Sequence, residues 1–104
     1  MNTISVSELK EMFDKNEDFQ LIDVREEHEY ENANINGILI PLGEIPSRFE
    51  EIAKDKKVIV QCRSGARSAN AIVFLEQNHG YTNLANLEGG IMAWAREIDD
   101  SLDV

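Results

Sequence analysis

Seven consecutive residues, Cys62-Arg63-Ser64-Gly65-Ala66-Arg67-Ser68, hold one thiol, two guanidinium groups, two hydroxyls and a glycine. They follow the apolar run Val58-Ile59-Val60 after one residue, and a helical pattern takes over from Ser68. Cys62 therefore belongs at the end of a buried strand, with a short loop and a helix behind it. A loop of small residues entering a helix can curl so that successive N–H groups face inward, which makes a nest for an anion. Gly65 supplies the permissive backbone dihedral that such a turn needs. The nest, the helix terminus with its partial positive charge of roughly half a unit, and Arg63 and Arg67 all favour thiolate over thiol. Cys62 is expected to titrate below the ~8.5 of a free cysteine and to act as a nucleophile near neutral pH. The ordinary role of a lone cysteine is to pack as a small apolar group. Two arginines, a glycine and two serines after it do not help to pack a core.

The elements that must position this loop are readable from spacing. Ser5-x-x-Glu8 is a capping box ahead of Val6, Leu9, Met12 and Phe13, one stripe of a short helix. Phe19–Val24 reads as a strand, Glu26–Asn32 as an acidic helix, and Ile38-Leu39-Ile40 as a short strand closed by Pro41. Ile45, Phe49 and Ile52 place an amphipathic helix over 43–53, with Pro46 tolerable only in its first turn. Val58–Val60 is the most strand-like run, Ser68–Asn78 a helix ended by Gly80, Asn83–Leu87 a weaker strand, and Ile91–Ile98 a last helix. Strands separated by helices indicate an α/β sandwich with a mostly parallel sheet, in which ligands bind beyond the carboxyl ends of the strands. The loop after Val60 lies at such an end. No linker or repeat interrupts the 104 residues, so 1–104 is expected to form one domain.

Composition narrows the partners. With 20 Asp+Glu against 10 Lys+Arg the formal net charge is −10, opposite to the basic footprint of a nucleic-acid binder. No apolar run approaches the ~20 residues that cross a bilayer, so no membrane association is expected. A single cysteine allows no intrachain disulfide and no CxxC pair. That usage and the absence of a signal-like N-terminus point to a reducing cytoplasm. The charge is uneven: 1–55 carries 14 acids and 5 bases, 56–96 carries 2 acids and 5 bases, and 97–104 carries 4 acids. Cys62 falls in the one positive stretch. An acidic face serves solubility or docks a basic partner.

These residues resemble the single-domain rhodanese-like sulfurtransferase family. Leu21-Ile22-Asp23-Val24-Arg25-Glu26-x-x-Glu29-Tyr30 is similar to its first block, and Ile35-x-Gly37 with Ile40-Pro41-Leu42 to the continuation. Asn86-Leu87-Glu88-Gly89-Gly90-Ile91-x-Ala93-Trp94 is similar to its C-terminal block, with the Cys62–Ser68 loop between. The resemblance implies a rhodanese-like three-layer sandwich, a mostly parallel central sheet of about five strands flanked by helices. It implies Cys62 as the catalytic residue, with Arg63, Ser64, Gly65, Ala66, Arg67 and Ser68 as the substrate-binding loop. Cysteine-dependent phosphatases need Cys-x5-Arg, whereas Cys62 to Arg67 is Cys-x4-Arg, a tighter cradle suited to one sulfur atom. The implied reaction moves sulfane sulfur from thiosulfate or a persulfide to cyanide, a thiol or a carrier protein through a Cys62 persulfide, without metal or organic cofactor. Arg63 and Arg67 would guide and bind the donor, and Ser68 would donate to the persulfide. The alternative is a non-catalytic module of the same family that regulates, binds anions or senses oxidants.

Asp23 and Arg25 are structural by the same resemblance, bonding the framework under the loop. Trp94 and Tyr30 are expected in the core, the Gly89-Gly90 pair in a turn, and His28 and His79 on the surface. Two departures stand out. Ala33-Asn34-Ile35-Asn36-Gly37-Ile38 lacks the histidine common at this block, and Asp99–Val104 is polar enough to fray or to shape partner contacts.

Overall fold

The computed structural model describes residues 1–104. Its capping box is closed in both directions: Glu8 N–H donates to Ser5 Oγ at 3.1 Å, and Ser5 N–H donates to Glu8 Oε1 at 3.1 Å. Helix α1 (Val6–Asp14) starts there and buries Val6, Leu9 and Met12, the stripe that the spacing predicts. Strand β2 (Phe19–Asp23), helix α2 (Glu27–Asn32), strand β3 (Ile38–Leu39), strand β4 (Lys57–Gln61), helix α4 (Ala66–His79), strand β5 (Leu84–Leu87) and helix α5 (Gly90–Glu97) follow in the expected order. An additional edge strand, β1 (Asn2–Ile4), precedes them and pairs with β5. Its three residues bury only Ile4 and carry no alternation long enough to announce a strand.

The amphipathic segment over 43–53 is not one helix. Only Ile45–Arg48 is α-helical (α3), set between 3-10 turns at Leu42–Glu44 and Phe49–Glu51. Pro46 sits in the first turn, where its missing N–H costs nothing. The periodicity reported the buried face correctly, because Ile45 and Ile52 are both in the core. It could not report that tighter i→i+3 turns would carry much of that face.

The five strands form one sheet in the order β1-β5-β4-β2-β3, with every neighbouring pair parallel. β4 is the middle strand, so its carboxyl end opens at the centre of one edge of the sandwich. Alternation along the strands sorts the core into two layers. Ile22, Val58, Val60, Cys62 and Leu84 face Ile72 and Leu75 of α4, together with Ile45. Leu21, Ile59, Ala85 and Leu87 face Leu9 of α1 and Ile91 and Trp94 of α5. This is the three-layer α/β sandwich expected. No helix is long and apolar enough to cross a membrane.

Several smaller expectations are corrected. Tyr30 is half-buried and donates from its hydroxyl to Gly37 O at 2.7 Å, so it pins the loop after α2 instead of filling the core. His28 is exposed, but His79 is half-buried and stacks on Phe49 with ring centroids 3.6 Å apart. The terminal segment does not fray: Leu102 and Val104 pack against the α1/α5 layer, and Asn32 Nδ2 donates to Asp103 O at 2.9 Å.

Candidate active site

Cys62 leaves the end of β4 on the α4 face of the sheet and is 1 % exposed. The chain then turns through Arg63, Ser64 and Gly65, whose φ of +111° is open to glycine at little cost. Helix α4 begins at Ala66, so Ala66, Arg67 and Ser68 are the helix's first turn and not loop residues. Helix α5 fixes the far side of this turn. Ile91 N–H donates to Cys62 O at 3.0 Å and Met92 N–H to Arg63 O at 3.1 Å. Gly90, at φ +58°, allows the approach: a Cβ there would lie 2.4 Å from Cys62 O and 2.5 Å from Arg63 O. The Gly89-Gly90 pair therefore lets the N-terminus of α5 close against the cysteine loop. With its carbonyls held outward, the loop can turn N–H groups toward the sulfur.

Gly65 N–H donates to Cys62 Sγ at 3.0 Å, and Ser68 Oγ stands 3.4 Å from the same sulfur. Burial pushes the thiol pKa up; the Ser68 hydroxyl and the backbone N–H groups of Ser68, Gly65 and Ser64 outweigh it, and the net shift is downward. Among the groups that lower it the Ser68 hydroxyl leads and the backbone N–H groups follow, all acting at short range. The two arginines that the spacing singled out are arranged differently from each other. Arg67 Nη1 and Nη2 donate to Glu29 Oε1 and Oε2 at 2.7 and 2.9 Å, a bidentate pair between α4 and α2. Arg63 is exposed and makes no side-chain hydrogen bond or ion pair, whereas Arg25, Arg48, Arg67 and Arg96 are all paired.

Asp23 and Arg25 form a fully buried bidentate pair: Arg25 Nη2 donates to Asp23 Oδ2 at 2.8 Å and Nε to Oδ1 at 3.0 Å. The remaining guanidinium N–H groups reach Glu29 O at 3.4 Å and Ala33 O at 2.8 Å. Their bonds thus support α2 and not the cysteine loop itself. Support reaches the loop at one remove, because α2 presents Glu29 to Arg67. Arg25, Glu29, Asn32, Arg63 and Val104 line a small open cleft of about 80 Å³ beside the loop.

Two residues emerge that spacing did not single out, Glu29 and Asn86, while Gly90 gives the turn expected of the Gly89-Gly90 pair a place in the site. Glu29 neutralises Arg67. Gly90 sets the distance between α5 and the loop. Asn86, on β5, accepts from Ser68 Oγ at 2.5 Å and donates through Nδ2 to Gly65 O at 3.1 Å. A signal for Asn86 was present, since it is the one polar side chain in a strand buried at all four positions. No group of three or more His, Cys, Asp or Glu side chains is arranged to hold a metal ion.

Known proteins are similar to this chain in sequence and fold. The family model described as "Rhodanese-like domain" matches residues 5–97. A protein of Allochromatium vinosum named "Sulfurtransferase" is 41 % identical over 97 residues, covering 92 % of this chain and 90 % of its own. YtwF of Bacillus subtilis is also 41 % identical, over 95 residues and 90 % of each chain. The crystal structure of a rhodanese-related protein from Thermoplasma volcanium superposes with a TM-score of 0.81 at 33 % identity, covering 94 % of both chains. With the cysteine loop closed between β4 and α4 and the family match spanning nearly the full length, the chain belongs to the rhodanese-like domain family.

Proposed function

We propose that the protein is a sulfurtransferase of the thiosulfate sulfurtransferase type that carries sulfane sulfur on Cys62. In the first step the Cys62 thiolate attacks the outer sulfur of the donor. A new Sγ–S bond forms as the donor's own S–S bond breaks. The electron pair leaves with sulfite when the donor is thiosulfate, or with a thiolate when it is a persulfide. In the second step cyanide, a thiol or a carrier protein attacks the terminal sulfur and returns the electron pair to Cys62 as thiolate. Neither step calls for a metal or an organic cofactor. The observation that carries this reading is the convergence of N–H and hydroxyl groups on a buried Sγ, including Gly65 N–H at 3.0 Å. These groups stabilise negative charge on sulfur as an oxyanion hole does on oxygen.

Glu29 already holds Arg67, which leaves Arg63 as the guanidinium free to meet a donor. A thiol or protein persulfide, with at most one charge at the reacting end, suits this site better than the thiosulfate dianion. Intact-mass measurement after incubation with thiosulfate or a low-molecular-weight persulfide tests the proposal. The native chain is expected to gain one sulfur atom that cyanide removes, and Cys62→Ser to gain none. A native chain that gains no sulfur, or a serine variant that gains as much, overturns it.

A further inference from the structure

We propose that Asn86 is a positioning residue that controls, through Ser68, which acceptor holds the only hydroxyl proton beside Cys62. The inference rests on Cys62 being the reacting thiol. Its test reads that thiol's titration and needs no sulfur transfer, so the two can fail separately.

The orientation of the Asn86 amide follows from its neighbours. Gly65 O can only accept, and it receives Asn86 Nδ2 at 3.1 Å, so Oδ1 is the atom 2.5 Å from Ser68 Oγ. Between that oxygen and Ser68, the hydroxyl must be the donor. Ser68 has one proton and three acceptors in reach: Asn86 Oδ1 at 2.5 Å, Gly65 O at 3.1 Å and Cys62 Sγ at 3.4 Å. Ser68 is fully buried, Cys62 1 % exposed and Asn86 9 % exposed, so solvent offers little replacement for a lost bond.

With the proton directed at Asn86, Ser68 Oγ can only accept from Cys62, which requires the thiol: S–H to Oγ, then O–H to Oδ1. A thiolate has no proton to give. When Cys62 loses its proton to solvent, the Ser68 hydroxyl must turn to the sulfur and leave Asn86. Asn86 therefore favours the thiol over the bare thiolate, and it also ties the loop through Gly65 O.

The pH dependence of Cys62 alkylation by iodoacetamide measures the effect. Asn86→Leu, of similar volume without an acceptor, is expected to lower the Cys62 pKa by about half a unit to one unit, the scale of one buried hydrogen bond. Ser68→Ala is expected to raise it. In the Ser68→Ala background, Asn86→Leu is expected to lose that downward shift, keeping only whatever follows from the lost bond to Gly65 O. An unchanged or raised pKa in Asn86→Leu overturns the proposal. So does an equal shift in both backgrounds, which would assign Asn86 to loop geometry alone. Should Asn86→Leu not fold, the native chain provides a second reading by NMR. The Asn86 side-chain amide resonance is expected to titrate with the Cys62 midpoint and to go flat in Cys62→Ser. A flat resonance in the native chain overturns the proposal.

Discussion

At the scale of single residues, burial and hydrogen bonding oppose each other at Cys62 and are matched at Asp23 and Arg25. Desolvation disfavours the Cys62 thiolate, and only donors within a few ångströms of Sγ reverse it. This is why the residue types of the loop are informative: small side chains let backbone N–H groups approach the sulfur. Asp23 and Arg25 solve the burial problem by pairing, being 0 % and 2 % exposed. Removing one partner leaves the other charged in a site without solvent, which costs more than the pair's own net contribution. Arg25→Met is expected to lower the unfolding free energy by about 3–5 kcal/mol, a large share of the ~5–15 kcal/mol of a small domain. Urea denaturation checks this, and a loss below about 1 kcal/mol would mean that water reaches Asp23 in the folded chain. Arg25 also holds Glu29 O and Ala33 O, so Arg25→Met should loosen α2 as well.

At the scale of elements, the site is a junction of four parts: the end of β4, the first turn of α4, the N-terminus of α5 and the inner face of α2. Helix α2 has no buried residue and is held by Arg25 and by the capping bond from Glu26 N–H to Glu29 Oε1 at 3.0 Å. Its contribution is the Glu29 carboxylate, which the Arg67 guanidinium, against some desolvation, holds at a pKa of about 2 in place of 4.5. Glu29→Gln keeps an oxygen for the cap and removes the charge. The thiosulfate kcat/KM of this variant is expected to rise about fivefold as Arg67 becomes available to a dianion, while an unchanged value would show that Arg67 does not face the donor. The same pair sets an acid dependence. A carboxyl with a depressed folded pKa stabilises fully above its unfolded value, roughly 4.3, and loses that contribution as pH falls toward about 2. The stability gap between native and Glu29→Gln chains should close over that window. The sequence showed the periodic elements and the loop because they depend on local spacing. It hid what depends on distant contacts: Glu29 and Arg67 are 38 positions apart, and Ser68 and Asn86 are 18 apart. Strand β1 was hidden because its pairing with β5 needs the finished sheet. The same holds for the turns that interrupt the helix over 43–53, whose ends are tied by Arg48 to Glu44 and Glu51.

For the whole molecule, the relevant quantity is the distance over which its charge acts on an arriving anion. The stretch 56–96, with 2 acids and 5 bases, contains Cys62 and lies within a chain whose other residues carry 18 acids and 5 bases. The whole molecule measures 37 × 30 × 19 Å. At about 0.01 M ionic strength the Debye length is roughly 30 Å, so nearly every charge on the molecule is felt at the mouth of the site. At about 0.1 M it is roughly 10 Å, and only the nearest groups remain, among them the unpaired Arg63. Long-range repulsion of a dianion should therefore fade with salt before local attraction does. The kcat/KM for thiosulfate is expected to rise about threefold or more between these ionic strengths. That for a singly charged or neutral persulfide should change much less, because its interaction with the net charge is weaker at every distance. Parallel assays with the two donors separate this from any general effect of salt on the fold. A thiosulfate rate that is highest at low ionic strength and falls with salt would mean that the acidic exterior faces away from the donor's path. Its role would then be colloidal stability. A rate that rises, and rises more for the dianion, ties the acidity of the exterior to the choice of donor, with Arg63 as the local group that admits a charge the rest of the surface repels.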